Sequence, residues 1–510
     1  MIKIKYLQCL TFASCLFYGM LAEAQSLAVN KKDWYNSDLE HDSTFGISSD
    51  RAYFELLRGK VSNEIIVAVL DGGVDIRHVD LNGKIWCNKK EIPGNMKDDD
   101  NNGYIDDING WNFMASSEGS FQYDNIDLVR RYREELKKDS KSLQSKVLKI
   151  ELDDKILPLK KDSTHFESKL RSIESIISHI GKNNPSEGEF RNYRYHNFSE
   201  RKELVAIVNA LRINPDFEIY KNEILLKYNK YKYQLRYLTN LDYDPRGKND
   251  GSKVFQNGNA DVIGLNPIHG THISGIICAD RKNVIGIKGV ADNIRIMSIR
   301  CVPIGDYLDL DIAKAIYYAV NNGAKVINMS MTKGTKTNKK DIDDAVKYAM
   351  SKDVIIVHSC GNEGMKLNSY SIYPSREYED GSLAENWIEV GASGPIDDSS
   401  LLGSFSNYGE NYVDVFAPGV RIYSTAPENS YLYSSGTSMA APVVTGLAAL
   451  IRSYYPKFTA KQVKEILLKS VKKVNHTVKN RDGVFIPFTT TCLSGGIINA
   501  VNALLLAKKL

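Results

Sequence analysis

The chain has 510 residues, 43% of them hydrophobic and 25% charged, and its 66 basic and 62 acidic side chains leave a formal net charge of +4. That length suits two or three domains with a sizeable buried core, and the composition excludes both wholesale disorder and a fibrous chain. Near-balanced charge gives no electrostatic basis for a nucleic-acid partner, and seven scattered cysteines are too few to staple a fold of this size.

Lys3 and Lys5 precede an apolar run from Tyr6 to Leu21, and Ala22-Glu23-Ala24 places small residues where a signal peptidase cuts. A spanning helix needs about 20 apolar residues. The run is shorter, so the expectation is a cleaved signal peptide over residues 1–24 and a mature chain without a membrane span. Such a chain is exported, whether secreted, periplasmic or held at the cell surface. Cys15 is the alternative, a lipidated cysteine, but it lies inside the apolar run. Beyond the leader remain Cys87, Cys278, Cys301, Cys360 and Cys492, an odd set in mostly apolar surroundings. They read as free thiols rather than a disulfide framework.

Residues 25–61 are polar with scattered aromatics and hold a short capped helix from Asp50 to Gly59. Ile65–Leu70 is a continuous β-branched run, as in a strand buried on both faces. Similar runs follow at Ile294–Arg300, Ala324–Met329, Val354–His358, Trp387–Ala392 and Val413–Phe416. Helical stretches at Leu310–Asn322 and Lys340–Lys352 lie between some of them, which predicts an α/β fold with a parallel sheet. Thr437–Tyr455 reads as a long apolar helix, and Thr459–Lys472 and Gly496–Lys508 as amphipathic helices.

Residues 114–245 break this rhythm. Helical periodicity over Asp127–Leu152, Thr164–Lys182, Ser199–Asn214 and Asp216–Asn240, punctuated by Pro158, Pro185 and Pro215, predicts an inserted helical subdomain. The core domain is then written in two parts, 62–113 and 246–510.

Three segments carry chemistry together. Val67-Ala68-Val69-Leu70-Asp71-Gly72-Gly73 puts a carboxylate at the C-terminal end of a buried strand, where open α/β sheets place their ligands. His269-Gly270-Thr271-His272-Ile273-Ser274-Gly275 offers two histidines at i and i+3, without the glutamate of a zinc-binding His-Glu-x-x-His. One active and one structural imidazole is the better reading. Gly436-Thr437-Ser438-Met439-Ala440-Ala441-Pro442 sets a serine at the start of an apolar helix, where unpaired N–H groups favour a developing anion. The chain order is acid, base, nucleophile, one of three unrelated triad orders.

On Val67–Asp75, His269–Gly275, Asn328–Met331, Gly361–Gly364 and Gly436–Pro442, the chain resembles the subtilisin-like serine proteases, the subtilases. The resemblance implies a doubly wound parallel sheet and a serine endopeptidase acting on polypeptide. Carried over by motif, Asp71 orients the imidazole, His269 is the general base and acid, and Ser438 is the nucleophile. His272 matches a structural histidine and Asn362 the side-chain oxyanion donor. Ser330 and Met331 match the edge that takes extended peptide, and His358 to Glu363, with Gly361, line the pocket for the residue before the cut. Glu363 at its rim suits a basic residue, and Met331 an apolar one.

Three departures stand out. Gly72 replaces a hydroxylated residue, Thr332 and Lys333 follow Ser330-Met331 where glycine is usual, and Cys360 replaces alanine. Thr332 and Lys333 are expected to narrow the substrate cleft. The alternative these departures favour is a silent or restrained subtilase fold that binds peptide or a partner through the insert, which lies between Asp71 and His269 and is expected to gate the cleft or bind that partner.

Asp98-Asp99-Asp100-Asn101-Asn102-Gly103-Tyr104-Ile105-Asp106-Asp107 has oxygen ligands at alternate positions and a glycine at the sixth, resembling a calcium loop. Position twelve is Asn109, not the glutamate of an EF-hand. Asp98, Asp100, Asn102 and Asp106 are the expected ligands of a structural Ca2+. Similar acidic loops before Gly-Trp-Asn-Phe, here Gly110–Phe113, occur in subtilases.

Overall fold

The computed structural model describes residues 31–116, 119–247, 258–334, 338–368 and 372–510. The expected signal peptide, with Cys15, lies outside the described residues. Two compact units emerge, one over Tyr123–Asp244 and one made of the chain on either side of it.

The larger unit is built on a nine-stranded sheet: Ile65–Asp71 (β1), Gly110–Asn112 (β2), Ile294–Arg300 (β3), Val326–Met329 (β4), Ile355–Ser359 (β5), Trp387–Ser393 (β6), Val415–Pro418 (β7), Lys472–Lys473 (β8) and Gly496–Ile497 (β9). Across the sheet they run β8-β9-β7-β6-β5-β4-β1-β3-β2. Every neighbouring pair is parallel except β8 and β9. The sheet is thus wound outward in both directions from β1, the crevice position for ligands in such folds.

The pleat sends alternate side chains to opposite faces. Val67 and Val69 of β1 join one apolar core, while Ala68 and Leu70 join another. The first is closed by helices Ile268–Cys278 (α1), Thr437–Tyr454 (α4), Ala460–Lys469 (α5) and Ala500–Lys509 (α6). The second is closed by Asp309–Asn321 (α2) and Lys339–Ser351 (α3). A strand buried on both faces needs an unbroken apolar run, which is why these segments were legible. The doubly wound sheet with a helical insertion is the fold that the sequence predicts.

Some details differ. Gly496–Ile497 is a strand rather than helix, pairing with Phe416 and with Lys472–Lys473, and α6 starts only after Asn499, whose side chain caps Asn502 N. The described residues among 114–122, assigned to the insert by composition, group with the sheet unit. Trp34, Tyr35, Ile47 and Leu57 of the N-terminal segment are buried in the main core. Of the cysteines beyond the leader, four are buried and Cys87 is exposed, all with free sulfurs. Burial pushes the Cys278 thiol up to about 12.

The smaller unit is helical: Asp127–Asp139, Leu143–Ile180, Glu187–Asn192, Phe198–Ile213 and Phe217–Tyr233. Its first predicted helix divides at residues 140–142, where the Ser142 hydroxyl accepts from Ser145 N and starts a new helix. That second helix runs through Pro158, which was expected to break it, and ends on Gly181 in the left-handed conformation. Ile173, Ile176, Phe190, Ile207, Leu211, Phe217 and Ile224 form one core, and Leu128, Val129, Tyr132, Leu148 and Leu152 a second.

Candidate active site

Asp71 closes β1 and is buried. Its Oδ1 accepts from Gly72 N at 2.7 Å, and its carbonyl accepts from Cys301 N and Val302 N at 3.0 and 3.2 Å. Opposite it on β3 stands Arg300, a fully buried guanidinium that the sequence reading passed over. Arg300 donates to the Gly72 carbonyl at 3.0 Å and to the Phe121 carbonyl at 3.3 Å, and pairs with Asp261 at 2.8 Å. One cation therefore pins the turn behind Asp71 to chain on both sides of the insert. Gln122 is buried beside Gly72, its Nε2 lying 3.7 Å from where a Cβ on that glycine would be.

His269 is the second residue of α1, and its Nδ1 lies 2.7 Å from Asp71 Oδ2. Burial disfavours the imidazolium, but the charge and hydrogen bond of Asp71 outweigh it, so His269 titrates above its ordinary value. Gly270 permits the approach, because a Cβ there would come within 2.2 Å of the Gly73 carbonyl and 3.2 Å of Asp71 Cβ. His272, one turn on, is different in kind. Burial, with the neighbouring His269, pushes it down to about 3. Its Nε2 faces the carbonyls of Ile422 and Leu432 at 3.1 and 3.2 Å, tying α1 to the hairpin Ile422–Ala426/Ser430–Ser434 as a neutral donor.

Ser438 is the second residue of α4, in the turn whose N–H groups have no intrahelical partner. Pro442 lies four residues on and has no N–H, so the Ser438 carbonyl lacks its helical donor. Ser330 Oγ fills that place at 3.0 Å, and Ser438 Oγ in turn donates to the Ser330 carbonyl at 3.3 Å. Asn362 is held by its oxygen, which accepts from Thr437 N at 2.8 Å and Thr437 Oγ1 at 3.0 Å. That leaves the amide nitrogen as the end available to donate. Gly436 borders this corner, where a Cβ would make ordinary contact with both polar atoms of Asn362 at 3.7 Å.

Ser330 and Met331 extend β4 beyond the sheet. The Met331 carbonyl accepts from His358 Nε2 at 2.7 Å, while His358 Nδ1 meets Glu389 at 2.7 Å, all three buried. Gly361 has φ +95°, where side chains are strained, and a Cβ would meet Asn407 Nδ2 at 2.5 Å. Glu363 accepts from Asn407 Nδ2 at 2.5 Å, so its carboxylate is engaged in that contact.

The acidic loop folds around Glu91, which sequence reading missed because it lies outside the repeat. Glu91, Asp98 and Asp100 each place an oxygen within 4.8 Å of the others. Asp106 is not in this group, its oxygens accepting from Gly94 N and Met96 N at 2.8 and 2.9 Å. Asn102 Oδ1 accepts from Tyr104 N at 2.8 Å and its Nδ2 donates to Asp107 at 3.1 Å. Three carboxylates are hard donors of the kind Ca2+ takes.

The sequence is similar to those of known proteins. The pattern of the subtilase family fits residues 62–484. A thermophilic serine proteinase of Bacillus sp. strain AK1 is 43% identical over 219 residues, 42% of this chain and 50% of that protein. Subtilisin DY of Bacillus licheniformis is 36% identical over 201 residues, 39% and 68% of the two chains. Thermitase of Thermoactinomyces vulgaris is 38% identical over 205 residues, 40% and 65%. The chain thus spans about half the length of the Bacillus sp. proteinase. With the family pattern covering most of its length, the chain belongs to the subtilase family.

Proposed function

We propose that this protein is an exported serine endopeptidase that cleaves polypeptides through an acyl-enzyme. The observation that carries the reading is the 2.7 Å contact of His269 Nδ1 with Asp71, which fixes the imidazole with Nε2 as its reactive nitrogen. Ser438 Oγ attacks the scissile carbonyl carbon while its proton passes to His269 Nε2. The oxyanion is met by Asn362 Nδ2 and Ser438 N–H. His269 then gives the proton to the leaving amine as the C–N bond breaks, and water, activated by the same imidazole, hydrolyses the ester. Ser330 and Met331 take the extended peptide by strand addition, and Gly361 and Glu363 border the pocket for the residue before the cut.

The acidic loop binds Ca2+ in this reading, through Asp98 and Asp100 with Glu91 joining them, and the ion is structural, apart from the chemistry. Among the described residues no helix is long and apolar enough to cross a membrane. The leader-like sequence over residues 1–24 is the basis for export. The helical unit, with two cores of its own, serves as an exosite or restraint for protein substrates. The test is casein cleavage by the purified chain beside Ser438→Ala. Cleavage lost in the variant supports the reading, and equal cleavage by both contradicts it.

A further inference from the structure

β1 stops at Asp71, but its neighbours run on. Asp71 pairs with Arg300 on β3 and Leu70 with Met329 on β4, so Ser330 stands level with Asp71. Among the described residues no strand of the sheet continues β1 between the extension of β3 and the extension of β4. A peptide added along Ser330–Lys333 therefore takes the line of a longer β1, with Ser438 at its inner end.

The outer end of that line is tied shut. Lys333, on the β4 rim, has a side chain only 3% exposed, and its Nζ lies 2.7 Å from Asp309 Oδ1, itself 1% exposed. Asp309 opens α2 and belongs to the β3 rim. Lys333 Nζ also donates to the Tyr307 carbonyl at 3.0 Å and lies over the Tyr307 ring, 4.8 Å from its centroid. Tyr373 braces the same knot. Its hydroxyl donates to Asp309 Oδ2 at 3.1 Å, and its carbonyl accepts from Tyr307 OH and Lys333 N, both at 2.9 Å. A buried ion pair with this many partners resists opening, because removing either charge strands the other out of water.

From Ser330 to Lys333 is a rise of three residues, about 10 Å of extended chain. We propose that Lys333, with Asp309 and Tyr307, is a specificity-determining residue that ends the cleft. About three residues before the cut are gripped, and the fourth is turned out to solvent. A polypeptide is still cut internally, but its fourth residue contributes nothing to recognition. The inference rests on the protease reading and deepens it.

The experiment is a series of peptide anilides with two, three, four and five residues before the cut, the last residue held constant and the fourth set to Gly or Phe. The expected kcat/KM rises through three residues, then changes by less than about twofold with the fourth residue's presence or identity, a pocket that grips a side chain being worth at least tenfold. A tenfold or larger gain from the fourth residue, or a tenfold preference for Phe there, overturns the inference and leaves the protease reading standing. No cleavage of any member, with no labelling by a serine-directed fluorophosphonate, overturns both. The double variant Lys333→Ala/Asp309→Asn removes both charges together. In it, discrimination between Phe and Gly at the fourth residue is expected to reach about tenfold, and an unchanged ratio in a folded sample overturns the inference.

Discussion

Ser330 and Ser438 hold each other in two directions: the Ser330 hydroxyl donates to the Ser438 carbonyl at 3.0 Å, and the Ser438 hydroxyl donates to the Ser330 carbonyl at 3.3 Å. The first bond exists because Pro442 cannot supply the helical N–H. Ser330→Ala removes it and leaves a carbonyl short of a donor. The expected cost is about 1 kcal/mol of stability by urea unfolding. A fall of roughly tenfold in kcat/KM should accompany it, the rate equivalent of about 1.4 kcal/mol.

The Asp71 contact predicts a pH dependence. His269 titrates higher in the folded chain than its ordinary value of 6.5. Its contribution to stability is therefore fully present below that value and is lost as pH rises through the folded one. In the proposed mechanism His269 acts as the neutral imidazole, so the acid limb of kcat/KM is expected above about 6.5. In Asp71→Asn that limb moves down, the added stability at low pH disappears, and turnover falls roughly 10⁴-fold. A pH–rate profile of both proteins checks the sign.

His272 predicts the opposite behaviour. Held down to about 3, it stays neutral in the native chain while the unfolded chain binds a proton below its ordinary value of 6.5. Native stability therefore falls as pH drops from about 6.5 toward 3. His272→Phe removes that slope. It also leaves the Ile422 and Leu432 carbonyls without their shared donor, at a cost of about 1–3 kcal/mol at neutral pH. Urea unfolding at several pH values separates the two effects.

The carboxylate cluster predicts calcium-dependent stability. At a hundredfold excess of Ca2+ over Kd, binding to the native chain adds about 2.7 kcal/mol. Chelation should lower Tm accordingly, and Glu91→Gln/Asp98→Asn should abolish that response to Ca2+. Calorimetry with and without chelator is the check.

What could be read from the sequence was local. Asp71 ends an apolar run, His269 and His272 share a glycine-rich helix start, and Ser438 follows a glycine at the head of an apolar helix. Each feature lies within a few residues of chain, where period and turn chemistry leave a mark. Arg300 bears no such mark. It sits in a β-branched strand, and its importance comes from Gly72, Phe121 and Asp261, all distant in sequence. Lys333 was conspicuous as a departure, but the identity of its partner depended on how β3 and β4 run past β1. Glu91 reaches the acidic loop from outside the repeat. The Pro158 helix shows the converse, a strong local signal overridden by the helix on either side of it.

The measurement that bears most directly on the account is labelling of the purified chain with a fluorophosphonate, the adduct located by peptide mass spectrometry. A single adduct on Ser438, formed faster as pH rises through the His269 titration and absent in His269→Ala, is the predicted result. A folded chain that stays unlabelled, or an adduct on another serine, would contradict it.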